Sequence, residues 1–170
     1  MTPLQALANR TKHLLAMLTA RLGVHVLANF LWVTASATAG SPSWYVNNAG
    51  RLVTFRTSPF MWCPLDPFLI NGCTIAEARV RVIPGAARTG TNRITLQLVK
   101  RQVFATGTDW APVGASGVFD DGTTSEQTIA LTAIGEVVDL TQWSYALRVI
   151  GGNDANTNLD LFNGGSVTLA

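Results

Sequence analysis

The groups that could do chemistry are few and scattered. Histidine is the usual general base near neutral pH, and the chain has two, His13 and His25. Neither has a carboxylate or a nucleophile near it in sequence. His13 reads as a solvated side chain and His25, among apolar residues, as a packed or capped one. The segment GASG (114–117) lacks the second glycine of a nucleophile elbow, because position 118 is Val. GAARTGTN (85–92) has glycines but no Gly-Lys-Ser/Thr, so it reads as a basic hairpin turn rather than a phosphate loop. FDDGTTSE gathers Asp120, Asp121 and Glu126 around Gly122, and GGNDANTNLD offers Asp154, Asn156 and Asp160. Calcium needs several oxygens converging on one point, and neither spacing is that of an EF-hand loop. Both read as solvated turns. Cys63 and Cys73 stand ten residues apart, with no CxxC pair or Cys/His set to hold zinc. They are either a clip across a hairpin or two buried thiols. No catalytic residue, metal or cofactor is expected.

The aromatic residues are the better candidates for binding. Trp44, Tyr45 and Trp110 fall in turn-rich segments where a ring can stay exposed. Exposed rings stack on sugars or bury in protein interfaces. Trp143 and Tyr145 share the apolar side of a strand pattern and are expected in the core. Arg79, Arg81, Arg88 and Arg93 flank one hairpin without interleaved aromatics, so a stacking platform for nucleic acid is not expected. Guanidinium forks suit carboxylates, and pairing of these arginines with acids across subunits is the expected use.

These residues must be positioned mainly by strands. From Gly50 onward the apolar period is near two: ARVRVIPG, RITLQLVKRQVF, QTIALTAIG, QWSYALRVIGG and LDLFNGGSVTLA alternate apolar and polar residues between turn signals. The expected fold is mainly β, a jelly-roll-like antiparallel β-sandwich over 50–170 preceded by an N-terminal α-helix. Within PLQALANRTKHLLAMLTARLG, Leu4, Leu7, Thr11, Leu14 and Leu18 recur at three and four residues as a heptad seam. Thr2 and Pro3 suit the helix start and Gly23 its end. Residues 1–23 thus read as an amphipathic oligomerisation helix. Residues 24–49 read as an arm or linker, although Val24 to Val33 also suits a strand or second short helix. Arg21, His25 and Asn29 interrupt the apolar run there, which argues against a secretory signal or a membrane span.

Charged residues are only 13% of the chain against 48% hydrophobic. So little charge suggests surface covered by other subunits, or a β-protein clothed in Ser, Thr, Asn and Gly. Residues 1–101 carry eleven of the twelve Lys and Arg with two acids, and 102–170 carry Arg148 with eight acids. Interleaved strands would mix these charges within the sandwich.

The seam helix PLQALANRTKHLLAML, the small-residue arm and a sandwich ending in WSYALRVIGG and LFNGGSVTLA resemble the small structural proteins of tailed-phage virions, of the tail-fibre, baseplate-attached or head-decoration type. The resemblance is of organisation and not of motif. It implies a non-enzymatic homotrimer that attaches to other virion proteins and is assembled in the host cytoplasm. The alternative is a carbohydrate- or receptor-binding β-sandwich module, with a host-surface glycan as partner. Neither nucleic acid nor membrane is an expected partner.

Overall fold

The computed structural model describes residues 5, 7, 9–12, 22–27, 33–35, 44–46, 52–54, 60–88, 90, 93–104, 110–120, 122–151 and 161–170. At 33–35, 44–46, 52–54, 60 and 161 it describes the backbone alone. The described strands, in chain order, are β1 (Gly23–Leu27), β2 (Val33–Ala35), β3 (Trp44–Val46), β4 (Leu52–Thr54), β5 (Phe60–Pro64), β6 (Thr74–Ile83), β7 (Ile94–Gln102), β8 (Ala111–Pro112), β9 (Gly117–Phe119), β10 (Gln127–Leu131), β11 (Glu136–Val137), β12 (Trp143–Ile150) and β13 (Leu161–Leu169). Every pairing among them is antiparallel.

They form two sheets. The first runs β10-β6-β13-β4-β3, with β1 also on β13 and β11 on β6. The second runs β2-β5-β12-β7-β8, with β9 also on β7. Alternation decides what faces inward. Met61 and Cys63, Ile94, Leu96 and Leu98, and Tyr145, Leu147 and Val149 form the inner face of the second sheet. Val80, Val82, Ile129, Leu131, Phe162, Val167 and Leu27 oppose them from the first. The protein is a jelly-roll-like antiparallel β-sandwich.

Burial of an aliphatic or aromatic side chain contributes about 1.5–3 kcal/mol, and the period-two stripes supply such residues from strands far apart in sequence. The sheets approach closely at β9 and β10. A Cβ on Gly117 would stand 2.7 Å from the Ala130 carbonyl oxygen, so only glycine lets β9 lie this near β10. One end is closed by a 3-10 turn, Asp66–Phe68. Asp66 Oδ1 accepts the Tyr145 amide at 2.7 Å and Leu65 N donates to the Tyr145 carbonyl at 2.9 Å.

Two strands, β2 and β3, and all of β1 but its first residue fall within 24–49, the stretch read as an arm. β1 pairs with β13, β2 with β5 and β3 with β4, so chain from this segment is built into both sheets. His25 faces inward beside Leu27 and meets Phe68, ring centroids 6.1 Å apart, as a packed side chain. Gly23 has φ +106°, where L side chains are strained, and it opens β1 directly.

Residues 5, 7 and 9–12 are helical. Leu7 is 62% exposed, and the Thr11 hydroxyl donates to the Leu7 carbonyl at 3.0 Å. The other seam residues, Leu4, Leu14 and Leu18, lie outside the described residues. Among the described residues no helix is long and apolar enough to cross a membrane.

Candidate functional site: the outer face of the second sheet

The outward positions of β5, β12 and β7 fall into register as rows. Trp62 stands opposite Arg148, and Arg148 opposite Gln97. The next row, about 7 Å further along the strands, is Pro64, Ala146, Val99 and Pro112. Beyond it Ser144 stands opposite Arg101.

Ala146 and Val99 point away from the interior, yet they are only 3% and 0% exposed. Two indole rings account for this. Trp62 reaches in from β5 and Trp110 from the residue before β8, and their centroids meet at 5.5 Å with a 45° tilt. To meet, the rings must lie over β12 and β7, and the small pair Ala146 and Val99 leaves room for them. A tilted aromatic pair contributes about 0.5–1.5 kcal/mol beyond the area it buries.

A guanidinium packs against each ring. Arg148 Cζ lies 5.3 Å from the centroid of Trp62, and Arg101 Cζ 5.2 Å from that of Trp110. The stack thus reads cation, ring, ring, cation. Arg148 is also held edge-on: its Nε and Nη2 donate to Gln97 Oε1 at 2.9 and 2.5 Å. Gln97 Nε2 donates in turn to Ser116 Oγ at 2.9 Å. Burial pulls the Arg148 pKa below that of a free guanidinium, because desolvation penalises the charged form.

Such a face offers two partly exposed rings, amide and hydroxyl groups, and N–H donors in fixed directions. It can hold a planar or ring-shaped polar molecule by stacking and hydrogen bonds. Among its described residues it has hydroxyls but no histidine, cysteine or carboxylate beside them.

Of the expected binding residues, Trp110 is on this face. Trp44 and Tyr45 are on β3, the edge strand of the opposite sheet, where the backbone alone is described. The three are therefore not brought together. Trp62 is the partner that sequence reading missed. Its signal was present in FMWCP: Met61 and Cys63 carry the core phase, so the ring between them must face outward.

The other candidates are structural. Arg79 pairs with Glu77 at 2.7 Å, and Arg81 pairs with Glu126. This corrects the expectation of pairing across subunits for those two: β10 lies beside β6, which brings the acid to Arg81 within one chain. Arg88 is buried, and Arg93 is exposed. Asp120 is exposed, Glu126 is in the ion pair, and Asp121, Asp154, Asn156 and Asp160 lie outside the described residues, as does His13. Lys100, at an inward position of β7, pairs with Glu136 at 2.7 Å and lies 4.9 Å from the Trp143 ring centroid. The Tyr145 hydroxyl donates to the same carboxylate at 3.2 Å. Cys63 and Cys73 are both buried free thiols, and burial pushes the Cys63 pKa up to about 12.

No protein-family model and no curated protein matches the chain. Solved structures do. One is the Clostridium thermocellum endo-1,4-beta-D-xylanase 10B, its CBM22-1-GH10 modules complexed with xylohexaose, at 12% identity and TM-score 0.52 over 87% of this chain. The chain spans 28% of that protein's length. A second is the xylan-binding module CBM15, at 12% identity and TM-score 0.51, with 86% of this chain and 96% of that one covered. These likenesses establish the sandwich fold.

Proposed function

We propose that this protein is a non-catalytic carbohydrate-binding β-sandwich module whose glycan lies across the outer face of the second sheet. The observation that carries this reading is the Trp62–Trp110 pair, spread over Ala146 and Val99 beside the Arg148–Gln97–Ser116 hydrogen-bond chain. Sugar rings present apolar C–H faces to aromatic rings and hydroxyls to fixed donors and acceptors. The xylan-binding module of the same fold lends the reading an analogy of architecture. Native affinity electrophoresis in gels containing soluble plant or bacterial polysaccharides tests it. At least one glycan retards the wild-type chain, and Trp62→Ala or Trp110→Ala weakens that binding about tenfold or more. A panel with no retardation, or retardation that both variants retain in full, would refute it.

The virion setting and the trimer remain part of the proposal as its means of presentation. The exposed Leu7 on the helical segment supports assembly through the seam. A glycan-binding face on an oligomer gains strength from multivalency.

A further inference from the structure

We infer that the glycan bound on this face is anionic, a polysaccharide bearing uronic-acid carboxylates, and that Arg148 and Arg101 receive those carboxylates. The inference rests on the carbohydrate-binding reading and gives that site its ligand class.

The first observation is a charge imbalance confined to the face. The outward row positions with described side chains are Trp62, Pro64, Ser144, Ala146, Arg148, Ile150, Thr95, Gln97, Val99, Arg101, Pro112 and Val118. Two are cationic and none is acidic. Elsewhere the described cations of strands are neutralised: Arg79 by Glu77, Arg81 by Glu126 and Lys100 by Glu136. Among the described residues, Arg148 and Arg101 pair with no carboxylate; their contacts are Gln97 and the two rings. A partly desolvated cation without a counter-ion is costly, and an anionic ligand removes that cost.

The second observation is the direction in which the donors point. Gln97 takes the Arg148 Nε proton and one from Nη2. A guanidinium has five N–H donors, so the remaining Nη1/Nη2 edge still presents two in parallel, the geometry that a carboxylate accepts with both oxygens. Gln97 and the Trp62 ring fix that edge before any ligand arrives, which lowers the ordering cost of binding. At the other end of the stack, Arg101 Nε is buried and has no acceptor. The two cations flank the ring pair, so a chain that stacks on the rings places its acidic groups near them.

Single-stranded nucleic acid also joins rings to negative charge. A guanidinium fork takes a phosphate as well as a carboxylate, so the preference for a glycan rests on the amide and hydroxyl beside Arg148, which suit sugar hydroxyls, and the oligonucleotide is carried as an arm of the test.

The test compares acidic polysaccharides with their own neutral forms. Polygalacturonate, alginate and glucuronoxylan are each run in affinity gels beside the same polymer after carboxyl reduction, with a single-stranded oligonucleotide and a sulfated glycan as further arms. At least one uronate polymer is expected to bind about tenfold tighter than its reduced form at 50 mM salt, and less so at 500 mM salt. Arg148→Gln and Arg101→Gln bring acidic binding down toward the level of the reduced polymer, whereas Trp62→Ala weakens both forms. The wild-type comparison needs no variant to fold, and near-UV circular dichroism certifies the variants. Equal binding to the acidic and reduced forms overturns the inference and leaves the glycan-binding reading standing. Binding to no polysaccharide overturns both. Preference for the oligonucleotide or the sulfated glycan over every uronate polymer overturns the carboxylate assignment.

Discussion

At the scale of single residues, neighbours decide what a side chain can do. Arg81 and Arg148 are both arginines on outward strand positions, but among the described residues one finds Glu126 and the other an amide and a ring. The first is closed and the second can still receive a partner. The thiols show the same dependence. Cys63 is fully buried between Met61 and Leu65, and its pKa moves from the ordinary 9.0 to about 12 because burial disfavours the thiolate. Its folded pKa is thus raised above the unfolded one. The protonated thiol's contribution to stability is therefore full below about pH 9 and is lost as pH rises toward about 12. Two outcomes are expected. A disulfide-exchange reagent at pH 8 leaves Cys63 unmodified in the folded chain and titrates it once guanidinium unfolds the protein. In alkaline titrations of stability, Cys63→Ala loses less between pH 9 and 11 than wild type does, although it starts lower by the few kcal/mol of a small core cavity.

At the scale of elements, backbone approach and register position the site. β9 fits against β10 because residue 117 has no side chain. Gly117→Ala drives a methyl group onto the Ala130 carbonyl, and urea unfolding is expected to show a loss of about 1–3 kcal/mol. The residue just before this strand, Ser116, stands beside Gln97, so this variant should also weaken glycan binding modestly while leaving Trp62 against Trp110. β13 supplies a second case. Gly164 has φ +76° where the pairing of β13 with β6 shifts register between Phe162 and Gly165. Gly164→Ala is expected to cost about 1–2 kcal/mol, read as a lower urea midpoint with unchanged slope. Period two made the strand faces legible: Ser144, Ala146 and Arg148 read as the outward face of WSYALRVI, opposite Tyr145, Leu147 and Val149. Segment 24–49 was less legible. Strands of three residues carry too few side chains to show a period, and β2 and β3 are held by the sheets they join.

At the scale of the whole molecule, the sandwich mixes what the chain separates. The basic first part and acidic second part meet as Arg81–Glu126 and Lys100–Glu136 because β6 lies beside both β10 and β11, and β7 faces the β11 end of the opposite sheet. Charge asymmetry along the chain therefore need not become a field around the molecule. Assembly belongs to this scale, and the proposed seam of residues 1–23 makes a prediction about it. Sedimentation of the full chain at micromolar concentration is expected to give a trimer. Leu7→Glu places a charge on the exposed seam position and is expected to shift the protein toward monomer with its β-sheet circular dichroism intact. A wild-type chain that sediments as a clean monomer would end the trimer proposal.

The sequence by itself determined the class of the protein: alternating strands, polar turns, a core containing Tyr145, and a chain without a recognisable acid/base or metal pattern. These follow from local rules, because side-chain alternation and turn chemistry depend on near neighbours. It also marked Trp110 as a ring to watch. Only the tertiary structure decided that Trp110 meets Trp62, that Trp44 and Tyr45 belong to the opposite sheet, and that Arg148 and Arg101 flank the rings without a carboxylate among the described residues. Strand order is the reason. Which strands lie side by side is set by burial of the two inner faces against each other, a long-range balance that no single stretch of sequence displays.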